Sequence, residues 1–136
     1  MSESRKHATG TIEVTGWDPS PYDEQEGATT LVRIEVTEHF HGDLEGEGRA
    51  TMLQALRPDG SADFVGHERV TGTLAGKEGT FVFQDVGTLS TNGAVDGRWF
   101  VVPGSGTGAL AGLRGEGSFR ADVGASATIT LDYWFE

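Results

Sequence analysis

The sequence predicts an all-β domain of about eight short antiparallel strands, closed as a sandwich or a barrel, with little or no helix. Three observations carry this. Apolar and polar residues alternate with period two through several segments, as in a strand with one buried face. Turn residues punctuate the chain between those segments. Glycine, at 21 of 136 residues, has about twice its usual share of about 7%, against only four prolines.

The elements follow in order. Met1–Lys6 is polar and expected to fray at the chain end. His7–Thr15 alternates, with Ala8, Gly10, Ile12 and Val14 on one face. Trp17–Ala28 holds Pro19, Pro21 and several acids and reads as an acidic loop. Its aromatics, Trp17 and Tyr22, either cover one end of a core or form a lid over a pocket. Thr30–Phe40 is a long strand with Val32, Ile34, Val36 and Phe40 on one face, shared with Glu38. Gly42-Asp43 turns the chain.

Leu44–Leu56 admits two readings. Met52, Leu53, Ala55 and Leu56 could line a helix, but Gly46 and Gly48 precede them and Arg57-Pro58-Asp59-Gly60 is a turn. A strand entering a hairpin fits better, with Ala50, Met52, Gln54 and Leu56 on one face. Ser61–Leu74 is its partner, and Glu68 lies on a face otherwise small or apolar. After Gly76–Gly79, Thr80–Leu89 offers two faces, Phe81, Phe83 and Asp85 or Val82, Gln84 and Val86. Asn92-Gly93 turns the chain into Ala94–Val102, which carries Trp99. The last strand is Ala125–Phe135, with Ile129, Leu131, Tyr133 and Phe135 on one face.

Val101–Phe119 stands apart. Gly104-x-Gly106-x-x-Ala109 matches a dinucleotide fingerprint only superficially, because no helix follows and no lysine completes a phosphate loop. These glycines read instead as a strand corner passing close to a neighbouring backbone.

Totals bound the function. One domain, residues 1–136, suffices to bury roughly two-thirds of its unfolded surface. The net charge of −11 argues against nucleic acid and anionic membranes, both of which need clustered cations. Absence of cysteine removes disulfide and thiolate chemistry. No signal-like apolar segment opens the chain and no apolar run of about eighteen residues occurs, so a cytoplasmic protein is expected.

Pro103-Gly-Ser-Gly-Thr-Gly-x-Leu-x-Gly-x-x-Gly115-x-Gly117, with Leu131-Asp132-Tyr133 at the end, resembles a bacterial family of unknown function, DUF3224, of the allene oxide cyclase-like barrels. Thr9-Gly10-x-Ile12-x-Val14-x-x-Trp17-Asp18, Arg57-Pro58-Asp59-Gly60, Phe64-Val65-Gly66-x-Glu68-Arg69-Val70 and Trp99-x-Val101-Val102 extend the likeness over nearly the whole chain. The Gly-Thr-Gly core is also similar to that of plant dirigent proteins. The resemblance implies a single eight-stranded antiparallel barrel, lipocalin-like in size, with an apolar cavity and homo-oligomers (dimers or trimers) among relatives. Characterised relatives include cofactor-free cyclases and isomerases. No catalytic residue carries over, since only the structural glycines match, and a fold does not fix a function.

Candidate site residues come from the strand faces. Glu38, Gln54, Glu68 and either Gln84 or Asp85 form an interior polar set. A buried carboxyl has a raised pKa and can exchange protons near neutrality. The competing reading is a rim carboxylate in water, or an ion pair with Arg49, Arg69 or Arg98. Glu68, flanked by Gly66, Val70 and Gly72, is the first choice, with Glu38 and Gln84 beside it. Trp17, Met52, Gln54, Phe81, Phe83, Trp99 and Tyr133 are the candidate pocket lining, although large aromatics also fill ordinary cores. His39 and His41 share a strand face and His67 could approach them, but exposed histidines explain them better, so no metal is expected. Gly104-Ser105-Gly106 lacks the spacing and helix of a hydrolase elbow. The expectation is a barrel binding a small apolar molecule without cofactor. It acts either as an isomerase or cyclase on a polyketide- or lipid-derived substrate, or as a non-catalytic binder. An oligomer would use outward apolar residues such as Leu53 or Val65.

Overall fold

In a computed structural model that describes residues 4–122 and 126–136, eight antiparallel strands follow one another around a closed barrel. They are β1 (Lys6–Asp23), β2 (Thr30–Gly42), β3 (Leu44–Leu56), β4 (Ala62–Leu74), β5 (Lys77–Leu89), β6 (Val95–Val101), β7 (Leu113–Ala121) and β8 (Ala127–Phe135). β1 closes the ring by pairing with β8, so every strand has two neighbours over part of its length. The one helical element among the described residues is a 3-10 turn, Gly108–Leu110. No described helix is long and apolar enough to cross a membrane.

Alternation sets which side chains enter the barrel. Val32, Ile34, Val36 and Phe40 of β2 are buried, as are Ala50 and Met52 of β3 and Phe81, Phe83 and Asp85 of β5. The helix reading of Leu44–Leu56 is thereby excluded, and the open choice on β5 falls to the Phe81 face. Leu53 and Val65 face outward, cross-strand neighbours that are both about half exposed.

Two expectations are corrected. β1 does not end at Thr15 but continues through Trp17, Pro19 and Pro21 to Asp23. A register shift between Val14 and Gly16 inserts Thr15 as a bulge, which resets the alternation and sets Trp17 opposite Val36. Among the described residues the strand beyond Ile12 pairs only with β2, and a strand with one neighbour is where proline is tolerated. Nor is Val101–Phe119 a corner throughout. β6 ends at Val101, the corner spans residues 102–112, and β7 begins at Leu113.

The corner folds under β5 and stoppers that end of the barrel. Val102 and Thr107 N–H groups donate to Val82 and Thr80 carbonyls, both at 2.8 Å. Leu110 is fully buried. Gly79 permits the approach, since a Cβ there would strike the Thr107 carbonyl. Gly108, with φ of 60°, makes the left-handed step that starts the 3-10 turn. Of the segment expected to fray, Arg5 lies over the Trp134 ring at 4.2 Å and Lys6 pairs with Tyr133. Residues 1–3, and Ala125 at the expected start of the last strand, lie outside the described residues.

Candidate functional site

The two ends of the barrel are built differently. At the stoppered end Phe40, Leu44, Leu74, Phe81, Leu113 and Leu131 are fully buried and fill the lumen. Toward the other end the inner face carries Val36, Ala50, Ala121 and Ala127, and the space between them is a cavity of about 440 Å³. That is within the range of small-molecule sites. Trp17, Gln54, Leu89 and Val95 also line the cavity.

Four carboxyl residues line this cavity, and three of them, Glu38, Glu68 and Asp85, stand with the ring of Trp99 where the packed layer begins, the fourth being Glu13 of β1. Neighbouring glycines give them room. Asp85 pairs in register with Gly66 of β4 on one side and Trp99 of β6 on the other. Glu38 pairs with Gly48 of β3, where a Cβ would strike the Glu68 carboxyl and the Phe40 ring. Gly48 is therefore part of the pocket that holds Glu68.

Glu68 is 1% exposed and Asp85 4%. Among the described residues no N–H or hydroxyl donates to either Glu68 oxygen or to Asp85 Oδ1, and the polar neighbour of Glu68 is the Glu38 carboxyl, with which a protonated Glu68 shares a hydrogen bond. None of the cavity-lining residues is Lys, Arg or His, so the ion pairs expected as an alternative are not formed. A carboxylate in such a place loses its hydration with nothing in return. Burial foremost, then the adjoining Glu38 carboxyl and the charge of Asp85, holds Glu68 well above the usual carboxyl range. Burial, then the charge of Glu38, pushes Asp85 up to about 8. At neutral pH the cavity floor thus presents buried carboxylic acids able to donate a proton or hydrogen bond.

Most of the expected site residues meet here. Glu38, Glu68, Met52, Gln54, Trp99 and Trp17 line the cavity. Trp99 contributes its ring faces, one stacked on Phe83 at 4.0 Å, while its Nε1–H donates to the Thr130 carbonyl at 3.1 Å. Gln84 does not belong, because on β5 it takes the outer face, 3.1 Å from His67 Nε2. Asp85, the alternative on that strand, takes the interior place. Phe81, Phe83 and Tyr133 face inward but lie in the packed core, not on the cavity. His67 is accordingly away from His39 and His41. Glu45 of β3, which the sequence reading passed over, stands with those two instead.

A closed, single-chain antiparallel barrel, filled at one end and hollow and acid-floored at the other, is the class of protein these features define. The chain belongs to the family described as Protein of unknown function (DUF3224), whose model matches residues 8–133. A solved structure from Shewanella oneidensis MR-1, described as a protein with unknown function from the DUF3224 family, is similar throughout. It shares 30% identity and a TM-score of 0.79, with 98% of this chain and 99% of that chain covered. No curated protein matches the chain.

Proposed function

We propose that this barrel binds one small, largely apolar molecule in its cavity, and that the floor carboxyls exchange protons with it as in a cofactor-free isomerase or cyclase. The observation that carries this is the pair of buried acids, Glu68 and Asp85, which receive no N–H or hydroxyl donor among the described residues at Glu68 Oε1, Glu68 Oε2 and Asp85 Oδ1 and face a cavity of about 440 Å³. Unpaired buried polar groups are costly to a fold that gains nothing from them. A bound carbonyl or hydroxyl would give them partners. Glu68 or Asp85, held neutral by burial, would donate to a substrate oxygen, while Glu38 is positioned to receive a proton from an adjacent carbon. Apolar walls would fix the substrate conformation, a contribution that can reach several kcal/mol. The resemblance to allene oxide cyclase-like barrels, whose known activities include cyclisation and isomerisation, supports the same reading.

Two measurements test it. Native mass spectrometry of the protein as expressed, with a titration by the neutral apolar dye Nile red, should give one molecule per chain. Uptake of none would remove the binding claim. Hydrogen–deuterium exchange alpha to the carbonyl of cyclic ketones and enones, followed by NMR, tests the chemistry. Exchange should fall by at least about 100-fold in Glu68→Gln and Asp85→Asn, the usual scale of general acid–base catalysis. Binding without exchange, or exchange indifferent to both variants, would leave a non-catalytic binder.

A further inference from the structure

The outer wall carries a second cluster, whose His39, His41 and Glu45 do not line the cavity. β2 sets His39 and His41 two residues apart, hence on one face of the strand, with ring centroids 4.3 Å apart. Phe40 between them points into the packed end and is fully buried, so the backbone of this pair is anchored from the inside. The tight β2–β3 hairpin then folds Glu45 back onto the two rings. Glu45 Oε2 lies 3.1 Å from His39 Nε2 and 3.5 Å from His41 Nδ1. One ligand atom from each residue falls within 4.8 Å of the others.

Without an ion the 3.1 Å contact is a hydrogen bond, and the two Glu45–His separations are also compatible with ligands around one ion. Tetrahedral coordination at about 2.0–2.1 Å holds ligand atoms roughly 3.3 Å apart, between the two distances just given. The outer contacts have the matching form. Glu45 Oε1 accepts from the Gly42 N–H at 3.3 Å, which leaves Oε2 as the atom aimed at the histidines. His41 turns its Nδ1 to Glu45 and its Nε2 toward Glu13 Oε2 of β1, which at 3.7 Å stands about half an ångström beyond hydrogen-bond reach. A carboxylate behind the non-ligating nitrogen orients a metal-bound imidazole and raises its basicity. Glu47, paired in register with His39, adds a third acidic residue on this face, in a chain of net charge −11.

We propose that His39, His41 and Glu45 bind a first-row divalent transition ion, Zn²⁺ being the representative, with Glu13 orienting His41. Two imidazoles and one carboxylate suit Zn²⁺, Cu²⁺ or Ni²⁺ and not Ca²⁺ or Mg²⁺, which take oxygen ligands. Three protein ligands leave a fourth position open to water or another molecule. An ion here clasps β2 to β3 from outside, and none of its three ligands lines the cavity.

The test uses tag-free full-length protein, stripped with a chelator and titrated with Zn²⁺ by calorimetry. Saturable uptake of one ion per chain is expected. His39→Ala, His41→Ala and Glu45→Gln should each weaken it by at least about 100-fold, and Glu13→Gln by about tenfold, the outer-shell scale. His67→Ala should leave it unchanged. Circular dichroism checks that each variant keeps the barrel, which side chains on the outer wall do not hold together. Cu²⁺ in the same site should show hyperfine coupling to two nitrogens, falling to one in His39→Ala. Absence of one-to-one uptake, uptake unaffected by His39→Ala and His41→Ala, or loss of uptake in His67→Ala would each overturn the assignment.

Discussion

The packed and hollow ends of this barrel are made by the same strands, and the same inward faces serve both. β2 runs from Val36 at the cavity, past Glu38, to Phe40 in the filled layer. β5 runs the other way, from Phe81 and Phe83 to Asp85. The fold therefore does not decide where space is left; the volume and polarity of each inward residue do. An eight-stranded barrel has a lumen that side chains can just fill, or that can hold one small ligand. Here the chain does both, and the three carboxyls mark the level at which one regime gives way to the other.

The largest expected effect separates the two ends by stability. Phe83 is fully buried, stacked on Trp99 and edge-on to Phe81 at 4.9 Å. Phe83→Ala should cost about 3–5 kcal/mol, the range for an aromatic removed from a filled core. Met52 borders the cavity and already lacks neighbours on that side, so fewer dispersion contacts are lost with it. Met52→Ala should cost no more than about 2 kcal/mol, the low end for its type. Chemical denaturation of both variants measures the difference. Equal losses would mean that the hollow end is as tightly packed in solution as the other.

A second contrast is electrical, because ionisable groups are buried at the floor and the packed layer is apolar. The folded-state pKa of Asp85 is raised from 3.8 to about 8, and that of Glu68 is raised from 4.5. Between the unfolded and folded values the native state holds protons that the unfolded chain has released. The stability these groups contribute is therefore fully present below about pH 4; the Asp85 share is lost as pH rises toward about 8, and the Glu68 share falls in the same direction. Asp85→Asn and Glu68→Gln should both flatten that decline, Asp85→Asn raising stability at pH 8 by about 2 kcal/mol and by much less at pH 5, and Glu68→Gln acting in the same direction. Thermal melts from pH 5 to 9 would show it. A variant as pH-sensitive as the natural protein would mean that its carboxyl is solvated or paired after all.

The sequence discloses the side of the sheet on which a residue lies far better than its depth along the barrel. Period two put Ala50, Met52 and Gln54 inside and singled out Glu38 and Glu68 as lone acids on apolar faces, all confirmed by the strand geometry. The same signal could not separate Trp99, on the cavity, from Phe81, Phe83 and Tyr133, below it, because alternation carries no axial coordinate. Where the period is broken, even the side is lost. The bulge at Thr15 hid the second half of β1, and Gly115 and Gly117, with no side chains to alternate, hid β7. Choosing between Asp85 and Gln84 required knowing that two phenylalanines bury together. Glu45 escaped notice because its partnership with His39 and His41 is made by the hairpin, not by spacing along one strand.

The finest way to sharpen the contrast is to add volume instead of removing it. Ala50, on the cavity wall between Val36 and Glu68, and Ala8, in the packed cluster, are both nearly inaccessible to solvent, at 5% and 1%. Low exposure alone cannot tell a filled neighbourhood from a hollow one. Ala8→Leu must push its neighbours aside, an overpacking that typically costs about 1–3 kcal/mol. Ala50→Leu extends into existing space and buries new apolar surface, about 0.8 kcal/mol per methylene, set against the lost rotamer freedom of leucine. Its stability should stay within about 1 kcal/mol of the natural protein while Nile red uptake is lost. If Ala50→Leu instead costs as much as Ala8→Leu, there is no usable space beside Glu68, and its lone carboxyl must find its partner within the chain.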